Sequence, residues 1–491
     1  MNNKFKVTCD NEILPQDMFN IISTNLNNLK IINDNGNIYI VLNNDYLYDK
    51  DNFSDRLPKV LKHYIFDYLE KKDVDMMSMV SKYMHNIVLD YTMKKYKLVL
   101  SKIREEDINY CINKYYKMKS IKMCEKYFTT EYINIISKLE QTEKLTFTSG
   151  FNLPADILAN RFPNLSGLIF DDKFNQPIDC LKGSFPNLQQ LVLGEKFDQS
   201  IDELIYYFPK LKQFIWRSNN YQPLYKIIDV CPKLVSLVSN GSSLSLGGLK
   251  ICQNLKVLYL GGNTSILLDE LNIKFPNLTV LHINYYDKPL MISPNSFINI
   301  QELIIYDFSK KSDYKLANSF PNLEVLEIDN KKNGYVNNFL NGLGNRPKLK
   351  KLTFGYYYDE PIDELINKFP NLEVLKFGYK FNQSIQKLAN GFPNLRVLEY
   401  YGRCFGFSKP FDILTYSFPK LEYLIVGSIS ITLMNQIINN HPYLKTIKFC
   451  VDSVDDIKYA YKLKKTGKYK IYLRFYDIID RDGVNIQYTQ I

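Results

Sequence analysis

Phe162-Pro163-Asn164-Leu165-Ser166-Gly167-Leu168-Ile169-Phe170 decides the fold, because the same pattern returns along the chain. Phe-Pro-Asn-Leu recurs at 185–188, 275–278, 320–323, 369–372 and 392–395, and Phe-Pro-Lys-Leu at 208–211 and 418–421. Degenerate copies stand at Cys231-Pro232, Arg346-Pro347 and His441-Pro442. After each comes x-x-L-x-L, whose first apolar residue falls at Leu98, Ile121, Leu145, Leu168, Leu191, Phe214, Leu237, Leu258, Leu281, Leu303, Leu326, Leu352, Leu375, Leu398, Leu424, Ile447 and Ile471. The step is about 23 residues, inside the window for solenoid repeats built on a short strand.

Each unit reads as strand, loop, short helix and turn. Apolar residues alternate with variable ones in the L-x-L segment, as in a strand with one buried face. Farther on, Phe174-Asn175-Gln176-Pro177-Ile178 aligns with Phe197-Asp198-Gln199-Ser200-Ile201 and Phe381-Asn382-Gln383-Ser384-Ile385, so Pro177, Ser200, Pro361 and Ser384 share one column. Both residue types suit a helix start, which predicts helices from this column. The next Phe-Pro then ends the helix and turns the chain. One unit buries too little to order its own backbone, so the units must stack.

These residues resemble leucine-rich repeats, and more narrowly the FNIP-type repeats of amoebal and giant-virus proteins. The resemblance implies an α/β fold: a leucine-rich-repeat solenoid, a curved parallel sheet of about 17 strands over residues 98–475 with short outer helices. The spacing departs between Leu237 and Leu326, where steps shorten to 21 and 22 residues and the pattern leaves the curvature open.

Before the repeats the period becomes helical. Leu57, Leu61, Ile65, Phe66 and Leu69 lie on one helical face, and Val74, Met77, Val80, Met84, Ile87 and Val88 form a second run. The residue-level reading is a cap that closes the first repeat. Leu57-Pro58-x-x-Leu61, Ile65-Phe66-Asp67-Tyr68-Leu69, Asp73-Val74 and Val80-Ser81-Lys82-Tyr83 resemble an F-box, with departures at Lys59-Val60, at Asp75, and at Tyr83 where tryptophan is usual. The resemblance implies a small helical F-box-like domain over 51–97 that docks the adaptor subunit of a cullin-RING ligase through Leu57, Pro58, Leu61, Ile65, Phe66, Leu69, Val80 and Tyr83. The repeats would then recruit a target protein for ubiquitination. Residues 1–50 read as a small α+β module of unknown role, with strands at Phe5-Lys6-Val7 and 38–42 around a helical stretch near Met18 to Leu29 and a turn at Asp34-Asn35-Gly36-Asn37; residues 476–491 form a tail.

On the array, residues between the inward positions point to the concave face. Ile169, Val192, Ile215, Val238 and Tyr259 would form an apolar stripe there, suited to a target protein. Tyr286, Tyr357, Tyr379, Tyr401 and Arg403 would gather on one rim, with residue types that interfaces favour.

Composition narrows the classes of function. The net charge of +10 sits mostly at two places. Residues 93–126 hold ten basic against four acidic residues and residues 462–481 seven against two, leaving the rest near neutral, which argues against nucleic acid along the arc. Eight scattered cysteines without a C-x-x-C pair favour a reducing compartment, cytoplasmic or nuclear, in a host cell if the chain is viral. No stretch approaches a membrane span. The four histidines stand in unrelated contexts and no phosphate loop or nucleophile motif occurs, so neither catalysis, a metal nor a cofactor is expected. The expected protein is an F-box substrate-recruiting subunit, monomeric outside the ligase complex. The alternative is a free-standing repeat scaffold for protein–protein interaction whose helical N-terminus only caps the array.

Overall fold

A computed structural model describes residues 4–7, 29–34, 37–42, 98–100, 118–123, 130–148, 150–200, 208–220, 225–240, 250–264, 268–286, 296–308, 319–331, 335–362, 365–381, 383, 391–400, 418–428, 431–451, 454–466, 468, 470–475 and 488–490. The expected F-box segment lies outside these residues. The chain divides into two compact units, Met1–Thr148 and Ser149–Ile491, so the division falls inside the expected repeat array.

In the first unit, β1 (Lys4–Val7), β2 (Leu29–Asp34) and β3 (Asn37–Leu42) form an antiparallel sheet in the order β1-β3-β2. Asp34 pairs with Asn37, which leaves Asn35-Gly36 as a two-residue hairpin loop. Three repeat strands follow, β4 (Leu98–Leu100), β5 (Ser120–Met123) and β6 (Lys144–Phe147), parallel and with Leu98, Ile121 and Leu145 in register. Helix α1 (Thr130–Ile136) runs between the last two.

The second unit is the main array. Its strands are β7 (Gly167–Phe170), β8 (Gln190–Leu193), β9 (Gln213–Trp216), β10 (Ser236–Ser239), β11 (Val257–Thr264), β12 (Val280–Tyr286) and β13 (Glu302–Tyr306). They continue as β14 (Val325–Asp329), β15 (Lys351–Phe354), β16 (Val374–Phe377), β17 (Val397–Tyr400), β18 (Tyr423–Ser428), β19 (Thr446–Val451) and β20 (Lys470–Phe475). Each pairs in parallel with the next in chain order. A final strand, β21 (Tyr488–Gln490), runs antiparallel on β20. This is a solenoid of the leucine-rich-repeat type. Its outer segments carry α2 (Tyr225–Val230), α3 (Leu268–Lys274), α4 (Tyr335–Leu343), α5 (Leu365–Lys368), α6 (Ile431–Asn440) and α7 (Val454–Lys465).

Register pairing puts Leu168, Leu191, Phe214, Leu237, Leu258, Leu281, Leu303, Leu326, Leu352, Leu375, Leu398, Leu424, Ile447 and Ile471 in one file, each at most 2% exposed. Burying each such side chain contributes about 1.5–3 kcal/mol. Beneath the strand ends, rings stack from coil to coil. Phe170 and Phe174 lie 3.9 Å apart, Phe174 and Phe197 5.9 Å, Phe354 and Phe377 5.3 Å, and Phe377 and Phe381 4.0 Å.

The recurring tetrapeptide is a hydrogen-bonded turn. The Leu165 N–H donates to the Phe162 carbonyl at 3.1 Å, and Leu188, Leu278 and Leu395 repeat this to Phe185, Phe275 and Phe392 at 3.1–3.2 Å. Proline at the second turn position pre-sets the backbone. The asparagine looks backward: Asn254, Asn277, Asn299, Asn322 and Asn371 donate through Nδ2 to carbonyls of Pro232, Gln253, Pro276, Ile298 and Pro347 in the preceding coil, at 2.7–2.9 Å. A second ladder explains Phe-Asn. Asn152 Oδ1 accepts the Asn175 N–H at 2.8 Å, and Asn175 Oδ1 accepts the Asp198 N–H at 3.1 Å.

The expected helix after Pro177 is a correction. Asp179–Leu181 forms only a 3-10 turn, because Gly183, at φ 72°, reverses the chain before a full α-helical turn can close. The helix expected from Pro361 does form, as α5. Between Leu237 and Leu326 the file continues without a break; β11 and β12 are longer there and their pairing shifts between Leu260 and Asn263.

Helix α4 receives its cap from the next coil. The buried Glu360 carboxylate accepts the N–H groups of Val336 and Asn337 at 3.3 and 3.0 Å. Asn337 in turn donates to the Pro361 carbonyl at 2.6 Å. Glu360→Ala removes a charged cap from two donors and lowers unfolding free energy by about 1–2 kcal/mol. Urea denaturation checks this; an unchanged midpoint contradicts it.

Candidate interaction surface

The side chains between the buried positions form a second file on the open face of the sheet. Ile169, Val192, Ile215, Val238, Tyr259, His282 and Ile304 follow one another on successive strands, then Glu327, Thr353, Lys376, Glu399, Ile425 and Lys448. Ile169, Ile215, Val238 and Tyr259 are half-buried. Val192 departs from expectation at 2% exposed: its register partners Ile169 and Ile215 flank it at strand spacing and cover it. The stripe is therefore a self-stacked apolar ladder rather than a row of free side chains.

At its end the file turns polar and the polar groups engage one another. The His282 ring meets Tyr259 edge-on at 4.0 Å and Tyr306 at 5.7 Å. Asn284 donates to the Tyr259 hydroxyl at 2.7 Å, and the Tyr306 hydroxyl donates to Glu327. Lys376 and Glu399 pair at 2.6 Å. Burial raises the Tyr306 phenol above its ordinary range, reinforced by Glu327.

Burial pulls His282 down to about 4 against a partial opposing effect of Asn284. The unfolded chain thus takes up a proton near pH 6.5 that the folded chain resists until about pH 4. Its stabilising contribution is full above about 6.5 and lost as pH falls through that window. Thermal unfolding followed between pH 7 and 4 should show a decline that His282→Asn reduces; identical pH profiles for the two proteins contradict this.

A rim beyond the strand ends carries the tyrosines. Phe354-Gly355-Tyr356-Tyr357 leaves β15 and Phe377-Gly378-Tyr379-Lys380 leaves β16, two copies of one turn on adjacent coils. The turns touch: a Cβ on Gly378 would lie 1.9 Å from the Gly355 carbonyl oxygen, so only glycine allows the approach. Tyr356 meets Tyr357 edge-on at 5.1 Å and Tyr379 in a tilted arrangement at 6.1 Å. The Tyr357 N–H donates to both Asp329 carboxylate oxygens at 3.1 Å, which ties the turn to the coil before it. Burial raises the Asp329 carboxyl above the usual range, opposed by these bonds.

Tyr356 thus contacts both Tyr357, in its own turn, and Tyr379, in the turn of the next coil. Tyr286 lies in β12, two coils before β14, while Tyr401 and Arg403 lie outside the described residues, as do Leu57, Pro58, Leu61, Ile65, Phe66, Leu69, Val80 and Tyr83. Two residues of the rim escaped the sequence reading. Lys380 sits 4.7 Å from the Tyr357 ring centre and 5.4 Å from that of Tyr356, and Lys331 sits 5.5 Å from Tyr357. The doubled Phe-Gly-Tyr was their only signal.

No family model matches the chain, and no curated protein matches its sequence. Among solved structures it is similar to a Leptospira interrogans LRR protein, at 16% identity and a TM-score of 0.36 over 79% of this chain and 91% of that one. An internalin from Listeria monocytogenes gives 16% and 0.37 over 72% and 90%. The leucine-rich repeat domain of APL1B gives 12% and 0.27 over 78% and 95%. At these scores the fold stands on the strand register itself. No helix among the described residues is long and apolar enough to cross a membrane, and no group of three or more His, Cys, Asp and Glu among them is placed to hold a metal.

Proposed function

We propose that this chain is a non-enzymatic docking scaffold, and more narrowly an F-box subunit that recruits a target protein to a cullin-RING ubiquitin ligase. The observation that carries the scaffold reading is the unbroken register of the second unit, which sets one side chain per coil on one face of the sheet and brings the two tyrosine turns after β15 and β16 together. On that face Tyr306 pairs with Glu327 and Lys376 with Glu399, which orders this part of the surface. The narrower reading rests on the F-box resemblance of Leu57-Pro58, Ile65-Phe66 and Val80-Ser81-Lys82-Tyr83. In that reading residues 57–83 bind the adaptor and the open face with its rim holds the target in a host cytoplasm or nucleus.

Co-expression of the full chain with the ligase adaptor tests this. The two proteins co-purify, and Leu61→Asp combined with Ile65→Asp removes the adaptor while the variant keeps the wild-type circular dichroism spectrum. A folded chain that never retains the adaptor supports the free-standing scaffold instead.

A further inference from the structure

We infer that the tyrosine rim after β15 and β16 is a seat for an acidic side chain of a partner polypeptide. The inference deepens the docking reading and rests on it. Three coils build the seat: Lys331 follows β14, Tyr356 and Tyr357 follow β15, and Tyr379 and Lys380 follow β16.

Around Tyr357 one charge is left without an oppositely charged partner among the described residues. Two ammonium groups approach this one ring, Lys380 at 4.7 Å and Lys331 at 5.5 Å. Lys331 pairs with Asp307 at 2.8 Å. Asp329 is 8% exposed and accepts from the N–H groups of Tyr357 and Asn330. Asp359 accepts from the Gln383 amide at 3.0 Å. Lys380 is exposed and has no carboxylate within ion-pair distance among the described residues. Its ammonium lies close to two ring faces, whose attraction for a cation favours that place over free solvent.

A cation held in this way attracts a carboxylate with little further ordering, and charge-assisted hydrogen bonds are the stronger kind. The platform beside it is aromatic and rigid. Tyr356 is 49% exposed, one of the few large apolar groups so open among the described residues, and it is braced by Tyr357 and Tyr379. Tyrosines beside a cation make a contact surface at low entropic cost. Phosphate chains fit less well, because tracking them requires a row of cations and, among the described residues of this rim, Lys380 is the one without a carboxylate partner.

The test uses the full-length protein without any adaptor and reads anisotropy of a fluorescein-labelled octaglutamate peptide. Saturable binding is expected, weakened about tenfold by Lys380→Ala and also weakened by Tyr356→Ala. Lys210→Ala and Lys445→Ala, at the opposite strand ends, leave it unchanged. The proposal is overturned if Lys380→Ala binds the peptide as the parent does, if all lysine variants lose affinity alike, or if a single-stranded RNA of equal length binds more tightly. Because no adaptor is present, failure here leaves the adaptor experiment standing, and a failed adaptor experiment leaves this one readable.

Discussion

Phe377→Ala is expected to lower the free energy of unfolding by about 3–5 kcal/mol, the range for truncating a buried aromatic. Phe377 is 1% exposed at the end of β16 and stacks on Phe354 at 5.3 Å, on Phe381 at 4.0 Å and edge-on against Tyr400 at 6.2 Å. Its ring therefore joins three consecutive coils. In a stacked array each coil is held chiefly by its neighbours, so the loss falls on two interfaces at once. Chemical denaturation should show an earlier, broadened transition. A loss below about 1 kcal/mol would mean that the aromatic column does not join the coils as described.

Gly378→Ala is the second large effect and works through backbone contact. Its added Cβ would meet the Gly355 carbonyl oxygen at 1.9 Å and its carbon at 2.5 Å, both main-chain atoms that cannot swing aside. Overpacking of this kind destabilises by about 1–3 kcal/mol. It also parts the two tyrosine turns, so the variant should weaken peptide binding at the rim as well as melt earlier. Gly344→Ala is the comparison: its Cβ meets nothing within 4 Å, although φ is 70° there. A Gly378→Ala protein with parental stability and parental binding would contradict the close approach.

Much of the fold was legible in the sequence because its cause is local. Leu-x-Leu after Phe-Pro states a period-two strand, and repetition alone demands that neighbouring strands stack. The asparagines were not legible in the same way. Asn277 reads as a turn residue within its own coil, yet its amide serves the Gln253 carbonyl of the coil before. Glu360 likewise reads as an acid near a helix start, while the N–H groups it caps belong to the preceding coil. Single-coil reasoning cannot find a partner some 23 residues away. The helix after Pro177 failed for a related reason, since the right start signal stands only a few residues ahead of Gly183.

The candidate surface was legible only in part. Alternation identified which residues leave the core, so Ile169 through Lys448 fall in one file, but it could not say that Val192 would be covered by its own neighbours. Tyr357 and Tyr379 stood out by type and spacing. Lys380 did not, because an isolated lysine carries no signal until the rings beneath it are placed.

The register of adjacent coils is tested most directly by cross-linking. Gln213 and Ser236 are direct partners on β9 and β10, and Val257 lies one strand further. Cα atoms on neighbouring strands fall within the separation a disulfide spans, and those two strands apart do not. Under mild oxidation, Gln213→Cys with Ser236→Cys should give the linked peptide by mass spectrometry, and Gln213→Cys with Val257→Cys should not. Linkage of the second pair without the first would contradict the stacked solenoid.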